Sequence, residues 1–171
     1  MCYLSESGME FVTPSPCDEI FDLEKSKLYK SAGDGIRTVE FILKHKGRKL
    51  DFIEAKPSSP KPEGEKPENF GIFIDKISDK FIHSFNLYCA AILGRFDKTS
   101  DLSDAFMTLN HDKVKFTFLL VIKGHEKDWL PPIQEALHEA LRQKMSYYKR
   151  IWRIESAVLN DDMARKYGFI R

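Results

Sequence analysis

Residues 38–56 read TVEFILKHKGRKLDFIEAK, and the division of this stretch into strands decides which fold the chain can adopt. Its first part alternates: Val39, Phe41 and Leu43 fall on one side of an extended strand, Thr38, Glu40 and Ile42 on the other. In residues 50–56 the alternation sets Leu50, Phe52, Glu54 and Lys56 on a common side. His45, Lys46 and Gly47 supply a tight connection, so a two-stranded antiparallel ribbon is expected, with His45 in the turn and Gly47 in its left-handed position. Because side chains alternate strictly, loop length decides which charges meet. A three-residue loop sets Glu40 opposite Phe52 and makes Glu54 its diagonal neighbour on the same face, roughly 7 Å away. A two-residue loop at Lys46 and Gly47 sends the two carboxylates to opposite faces.

Two carboxylates and a lysine on one sheet face are what a phosphodiester-cleaving site requires. Carboxylates can hold Mg²⁺ or Mn²⁺ while leaving positions for water and phosphate. Glu40 and Glu54 are the expected anchors, and the carbonyl of Ala55 is the expected backbone ligand. Lys56, two residues beyond Glu54 on the same face, is placed to orient an attacking water or to stabilise charge on the phosphate. With 26 acidic residues, about three acid-X-Lys triplets are expected by chance, and the chain holds one. The weight therefore lies in where the triplet stands. At the end of an apolar strand, beside Phe52 and Ile53, two charges carry a desolvation cost unless something binds them.

Glu40 on the first strand and Glu54-Ala55-Lys56 on the second resemble the hairpin of the PD-(D/E)XK nuclease superfamily, whose fold is restriction-endonuclease-like. The resemblance by motif covers residues 38–56; beyond them it rests on element order. It implies a Mg²⁺- or Mn²⁺-dependent nuclease acting on DNA, with Glu40, Glu54 and Lys56 catalytic and Glu40, Glu54 and Ala55 at the metal. A further acid from an earlier helix is implied, to be chosen among Glu19, Asp22 and Glu24, with Glu24 favoured. Val39 stands where the family's first motif has proline, and Asp34 competes for the first acidic position. The alternative reading is an inactive nuclease-like module that binds a nucleic acid or a protein.

Outward from the ribbon, residues 57–69 (PSSPKPEGEKPEN) hold four prolines and no aliphatic side chain and are expected to form a mobile loop. Asn69 is a possible N-cap for a long helix in which Phe73, Ile77, Phe81, Phe85, Tyr88 and Ile92 recur at helical spacing, ending near Gly94. A helical turn is expected at residues 102–109 and a buried central strand at 114–122, VKFTFLLVI. Pro131 and Pro132 open a helix over 133–148, residues 150–159 read as a strand and 161–167 as a short helix. Before the ribbon, 1–16 read as an irregular or edge-strand leader, 18–29 as a short helix and 31–35 (SAGDG) as a turn. One α/β domain over residues 1–171 is implied: a small mixed central sheet with helices on both faces.

The bulk composition sets outer limits. The 27 basic and 26 acidic residues leave a net charge of +1, so nucleic-acid affinity must come from a local patch. Such a patch is offered by residues 142–153 (RQKMSYYKRIWR), where cations interleave with Tyr147, Tyr148 and Trp152, although such a stretch is more often the outer face of a helix whose aromatics are buried. Lys44, Lys46, Arg48 and Lys49 form a second basic group, while Lys61 and Lys66 are diluted by Glu63, Glu65 and Glu68. Cys2, Cys17 and Cys89 have no CxxC spacing, which indicates neither a disulfide framework nor a thiolate zinc site. Histidines at 45, 83, 111, 125 and 138 lack HxxxH spacing and are assigned to no metal. With no signal-peptide pattern in the first residues and no apolar run of membrane length, a cytoplasmic protein is expected, with a homodimer or complex partner possible.

Overall fold

The computed structural model describes residues 3–16, 18–46, 49–64, 66–96 and 101–171. The expectations placed on Cys2, Cys17, Gly47, Arg48 and Glu65 lie outside them. In chain order the elements are β1 (Tyr3–Glu6), β2 (Met9–Val12), β3 (Glu19–Asp22), α1 (Lys27–Ser31), β4 (Phe41–His45), β5 (Lys49–Lys56), α2 (Pro67–Ile92), α3 (Asp104–Met107), β6 (Lys115–Ile122), α4 (Leu130–Lys144), β7 (Glu155–Asn160) and α5 (Asp161–Lys166).

The ribbon of β4 and β5 is antiparallel and sits within a five-stranded mixed sheet of order β3-β4-β5-β6-β7. β3 and β5 both pair antiparallel with β4, β3 through a segment that contains α1 and β5 through the connection at 46–48, whereas β5, β6 and β7 are joined through helices and run parallel. Successive parallel strands are added in one direction, so right-handed crossovers carry α2 and α4 to the same face. There they cover Leu50, Phe52, Phe116, Phe118, Leu120 and Ile122 with Phe81, Phe85, Tyr88, Leu137 and Leu141. The other face is covered by the β1–β2 hairpin, Ala164 of α5 and Ile170, which pack on Phe41, Leu43, Ile53, Ala55, Leu119 and Val121. Helices thus lie on both faces, but unequally.

The ribbon register pairs His45 with Lys49, Ile42 with Phe52 and Phe41 with Ile53. The connection therefore spans residues 46–48, odd in length but one residue later than expected. His45 ends β4 instead of entering the turn. Glu40 lies one residue before the last pair, which directs it toward Glu54 itself and not toward Phe52. Both carboxylates stay on the helix-covered face.

Several elements differ from expectation for identifiable reasons. Residues 18–29 split into β3 and α1, because Ile20 and Phe21 are claimed by pairing with Leu43 and Ile42, and an apolar run this short is ambiguous between strand and helix. Ser26 then caps α1 by accepting the Tyr29 N–H at 3.0 Å. The leader forms the β1–β2 hairpin, whose turn puts Ser7 (φ 52°) and Gly8 (φ 72°) in the left-handed region. Helix α2 starts at Pro67, not at Asn69, since proline at the first helical position loses no intrahelical bond. It stops where expected, with Gly94 at φ 68°. Helix α4 ends at Lys144, and β7 begins only at Glu155, leaving a turn-rich segment between them.

The proline-rich segment, expected to be mobile, lies against the start of α4. Ser59 Oγ is 2.7 Å from His125 Nε2, and the Lys61 ammonium stands 4.2 Å from the centre of the Trp129 ring. Among the described residues no helix is long and apolar enough to cross a membrane.

Candidate functional site

Glu54 belongs to the central strand of the sheet. In β5 the chain alternates between two packed layers, so Glu54 shares its face with Leu50 and Phe52 and has 0% of its surface exposed. A carboxylate there must be paired or protonated. The partner comes from α2: Lys80 Nζ lies 2.8 Å from Glu54 Oε1 and 3.1 Å from Oε2. Lys56 Nζ, from the end of the same strand, lies 2.6 Å from Oε1. Oε1 is held by charge and proximity, without a well-aligned hydrogen bond.

Glu40 enters from the bend before β4. Ser84 of α2 fixes that bend, accepting the Val39 N–H at 2.8 Å while donating to the Lys80 carbonyl at 2.6 Å. One serine thus ties the backbone beside Glu40 to the helical turn that carries Lys80. Glu40 is 7% exposed, and its Oε1 stands 3.6 Å from Lys80 Nζ and 3.8 Å from Lys56 Nζ. Glu24 reaches it from the segment after β3 and hydrogen-bonds its carboxyl, while the N–H groups of Leu23 and Glu24 both donate to the Glu40 carbonyl at 3.0 and 3.2 Å.

Burial, the hydrogen bond with Glu24 and the negative charge of Glu54 push the Glu40 carboxyl up to about 8. Burial also pushes Glu54 up, opposed first by Lys80 and then by Lys56. Burial pulls Lys80 down, but the charge and hydrogen bond of Glu54, with Glu40 and Glu24 behind them, outweigh it and leave the ammonium above its ordinary value. Distance decides which carboxyl of the pair the amines serve. Glu54 has both ammonium groups within 2.8 Å, and Glu40 has neither closer than 3.6 Å. Glu40 is thus the carboxyl less well compensated by the two amines.

The expected residues Glu40, Glu54, Lys56 and Glu24 therefore converge. Of the competing acids, Glu19 accepts a hydrogen bond from Ser103, Asp22 pairs with Lys25 at 3.1 Å, and Asp34 is exposed between two left-handed glycines, Gly33 and Gly35. The Ala55 carbonyl accepts the Ser7 hydroxyl at 3.0 Å and retains one lone pair. Lys80 was not singled out from sequence. The available signal was its spacing: it stands three residues after Ile77 and four before Ser84, both buried, so it shares their face of the helix.

Among the described residues no three His, Cys, Asp or Glu side chains close into a metal cage. Mg²⁺ does not ordinarily ask for one; it binds through one or two carboxylates with water and substrate phosphate filling the remaining positions. Hard oxygen donors from Glu40 and Glu54, with Glu24 in contact, suit that ion or Mn²⁺.

A second charged group occupies the opposite face and opposite end of the ribbon. Asp51, 0% exposed, is 2.7 Å from His45 Nε2 and 3.0 Å from Lys49 Nζ. It satisfies a buried carboxylate at the closed end of the hairpin.

No protein-family model, curated protein or solved structure matches the chain.

Proposed function

We propose that this chain is a Mg²⁺- or Mn²⁺-dependent nuclease of restriction-endonuclease-like, PD-(D/E)XK character that hydrolyses phosphodiester bonds in DNA. One observation carries the reading: Glu40 and Glu54, from neighbouring extended segments, meet Lys56 and Lys80 in a cluster largely shielded from water. The order after the ribbon, helix, strand, helix, strand, also agrees with what the resemblance implies.

Glu40 and Glu54 would hold the ion, with Glu24 assisting and the Ala55 carbonyl within the same strand end. When bound, the ion supplies charge neutralisation at the phosphate and a more acidic bound water. The chain's own groups divide the remaining work. Glu40, its carboxyl raised by burial, would have to be ionised to serve as a ligand. Lys56, at 28% side-chain exposure the more open of the two amines, orients the attacking water or holds a non-bridging phosphate oxygen. Lys80, fixed by Ser84 and Glu54, keeps the buried carboxylate in position.

The test is a cleavage assay on single-stranded, double-stranded and branched DNA with Mg²⁺ and Mn²⁺. Ion-dependent cutting that disappears in Lys56→Ala supports the proposal, and equal traces in both proteins overturn it. A melting shift produced by the ion in the wild type and lost in Glu54→Ala gives the binding half of the same answer.

A second reading, an inactive nuclease-like module, draws on one observation. Lys56 and Lys80 already meet the buried charge of Glu54 without an ion. An unaltered melting temperature with either ion, together with salt-sensitive retention of DNA, would favour it.

A further inference from the structure

At the far end of the helical layer, the turn-rich segment between α4 and β7 closes a recess that the cluster at Glu54 does not use. The recess is lined by Tyr88, Cys89 and Leu93 of the α2 end, His111, Phe116 of β6, and Trp152, and has a volume of about 420 Å³. In the register of the sheet Phe116 stands opposite Leu50, whereas Lys56 stands opposite Ile122. Six residues of strand separate the two levels, roughly 20 Å.

The floor is fixed and the rim is open. Tyr88 is buried with its hydroxyl 2.9 Å from His111 Nε2, and Trp152 packs edge-on against Phe85 at 5.0 Å. Yet Trp152 is 43% exposed, Ile151 65% and Leu93 73%. Large apolar side chains left this open beside a recess mark a binding surface more often than chance placement. The rim is also basic. Arg153 lines the recess and Arg150 immediately precedes its lining residue Ile151; both are exposed, and among the described residues neither has a carboxylate partner within ion-pair distance, whereas Lys149 is turned toward His138, 3.3 Å from its Nε2. Asp112 is the one carboxylate among the described lining residues. Arg153 itself holds φ at 53°, a conformation that costs a non-glycine residue energy and is retained mainly where a site is built.

From these features we infer that this recess and its rim bind single-stranded nucleic acid. An unstacked base enters beside Trp152, and Arg150 and Arg153 hold the flanking phosphates. Charge complementarity selects a polyanion, and the indole beside a recess selects one that offers flat, splayed bases. A duplex keeps its bases stacked and presents no face to Trp152. The sequence pattern of residues 142–153 more often marks a helix with its aromatics buried. Only Tyr148 is buried; Tyr147 and Trp152 are not. The site stands independently of the nuclease proposal.

The experiment titrates the full chain, carrying Trp129→Phe so that Trp152 is the only indole, with oligodeoxythymidylate in EDTA. Saturable quenching that weakens with salt is expected. Arg150→Ala with Arg153→Gly, glycine being at ease at the left-handed φ of that position, should lower the slope of log affinity against log salt by about 1.4. Trp152→Leu should weaken binding, followed by strand anisotropy, about tenfold. Trp152→Phe, which keeps the contact with Phe85, should bind nearly as wild type and so separates stacking from folding. Absence of saturable binding, or binding unchanged in both the double variant and Trp152→Leu, overturns the inference. So does tighter binding of polyglutamate than of the oligonucleotide, which would assign the surface to an acidic protein segment. Because EDTA removes the ion, this result does not depend on whether the chain cleaves DNA.

Discussion

Lys80 Nζ and Glu54 Oε1, 26 residues apart in sequence, stand 2.8 Å apart across the interface between α2 and the central strand. This pair turns a short acid-X-Lys triplet into a two-amine cluster. A buried carboxylate with one lysine would carry a large desolvation cost; the second amine opposes the upward push of burial on Glu54.

Removing one amine should therefore cost less than orphaning the charge. Lys80→Met is expected to destabilise the fold by about 1–2 kcal/mol, below the roughly 3–5 kcal/mol of a fully unpaired buried ion, because Lys56 remains. Urea unfolding measures it, and Lys80→Met combined with Lys56→Met should exceed the sum of the single losses. Additive losses would mean that the two amines serve Glu54 independently.

Glu40 gives a pH dependence of definite sign. Its folded carboxyl is raised from 4.5 to about 8, so the folded state binds this proton more tightly than the unfolded chain. Its contribution to stability is full below the unfolded value and is lost as pH rises toward about 8. Urea midpoints should decline across that window and decline less in Glu40→Gln, which preserves a hydrogen-bond donor toward Glu24. An unchanged slope in the variant would place the proton elsewhere.

The proline-rich strap should loosen in proportion to its two anchors. Lys61→Ala removes a cation–π contact of about 0.5–1 kcal/mol, and Ser59→Ala removes the bond to His125. Limited proteolysis is expected to cut residues 57–64 faster in each variant and fastest in the double. Equal rates in all four proteins would show that the anchors do not hold the segment.

Phe52 is the centre of the aromatic layer, with ring centroids of Phe85, Tyr88, Phe116 and Phe118 between 5.8 and 6.4 Å away. Phe52→Ala should lower stability by about 3–5 kcal/mol through lost burial and an unfilled cavity. Phe52→Leu should recover most of that loss, a difference readable in thermal melts.

What the sequence determined by itself was local. Alternation in residues 38–56 specified two strands, the odd connection put both carboxylates on one face, and the apolar stripe with Gly94 specified a long helix and its stop. These follow from side-chain period and turn geometry, which act over a few residues. The tertiary structure alone decided which helix face reached Glu54 and so recruited Lys80, which of four acids approached Glu40, and that Ser7 met the Ala55 carbonyl. It also decided that Trp152 stayed on the surface while Tyr148 was buried. Each of these depends on how packed layers settle against one another over long chain separations, where the deciding quantity is burial and no local period records it.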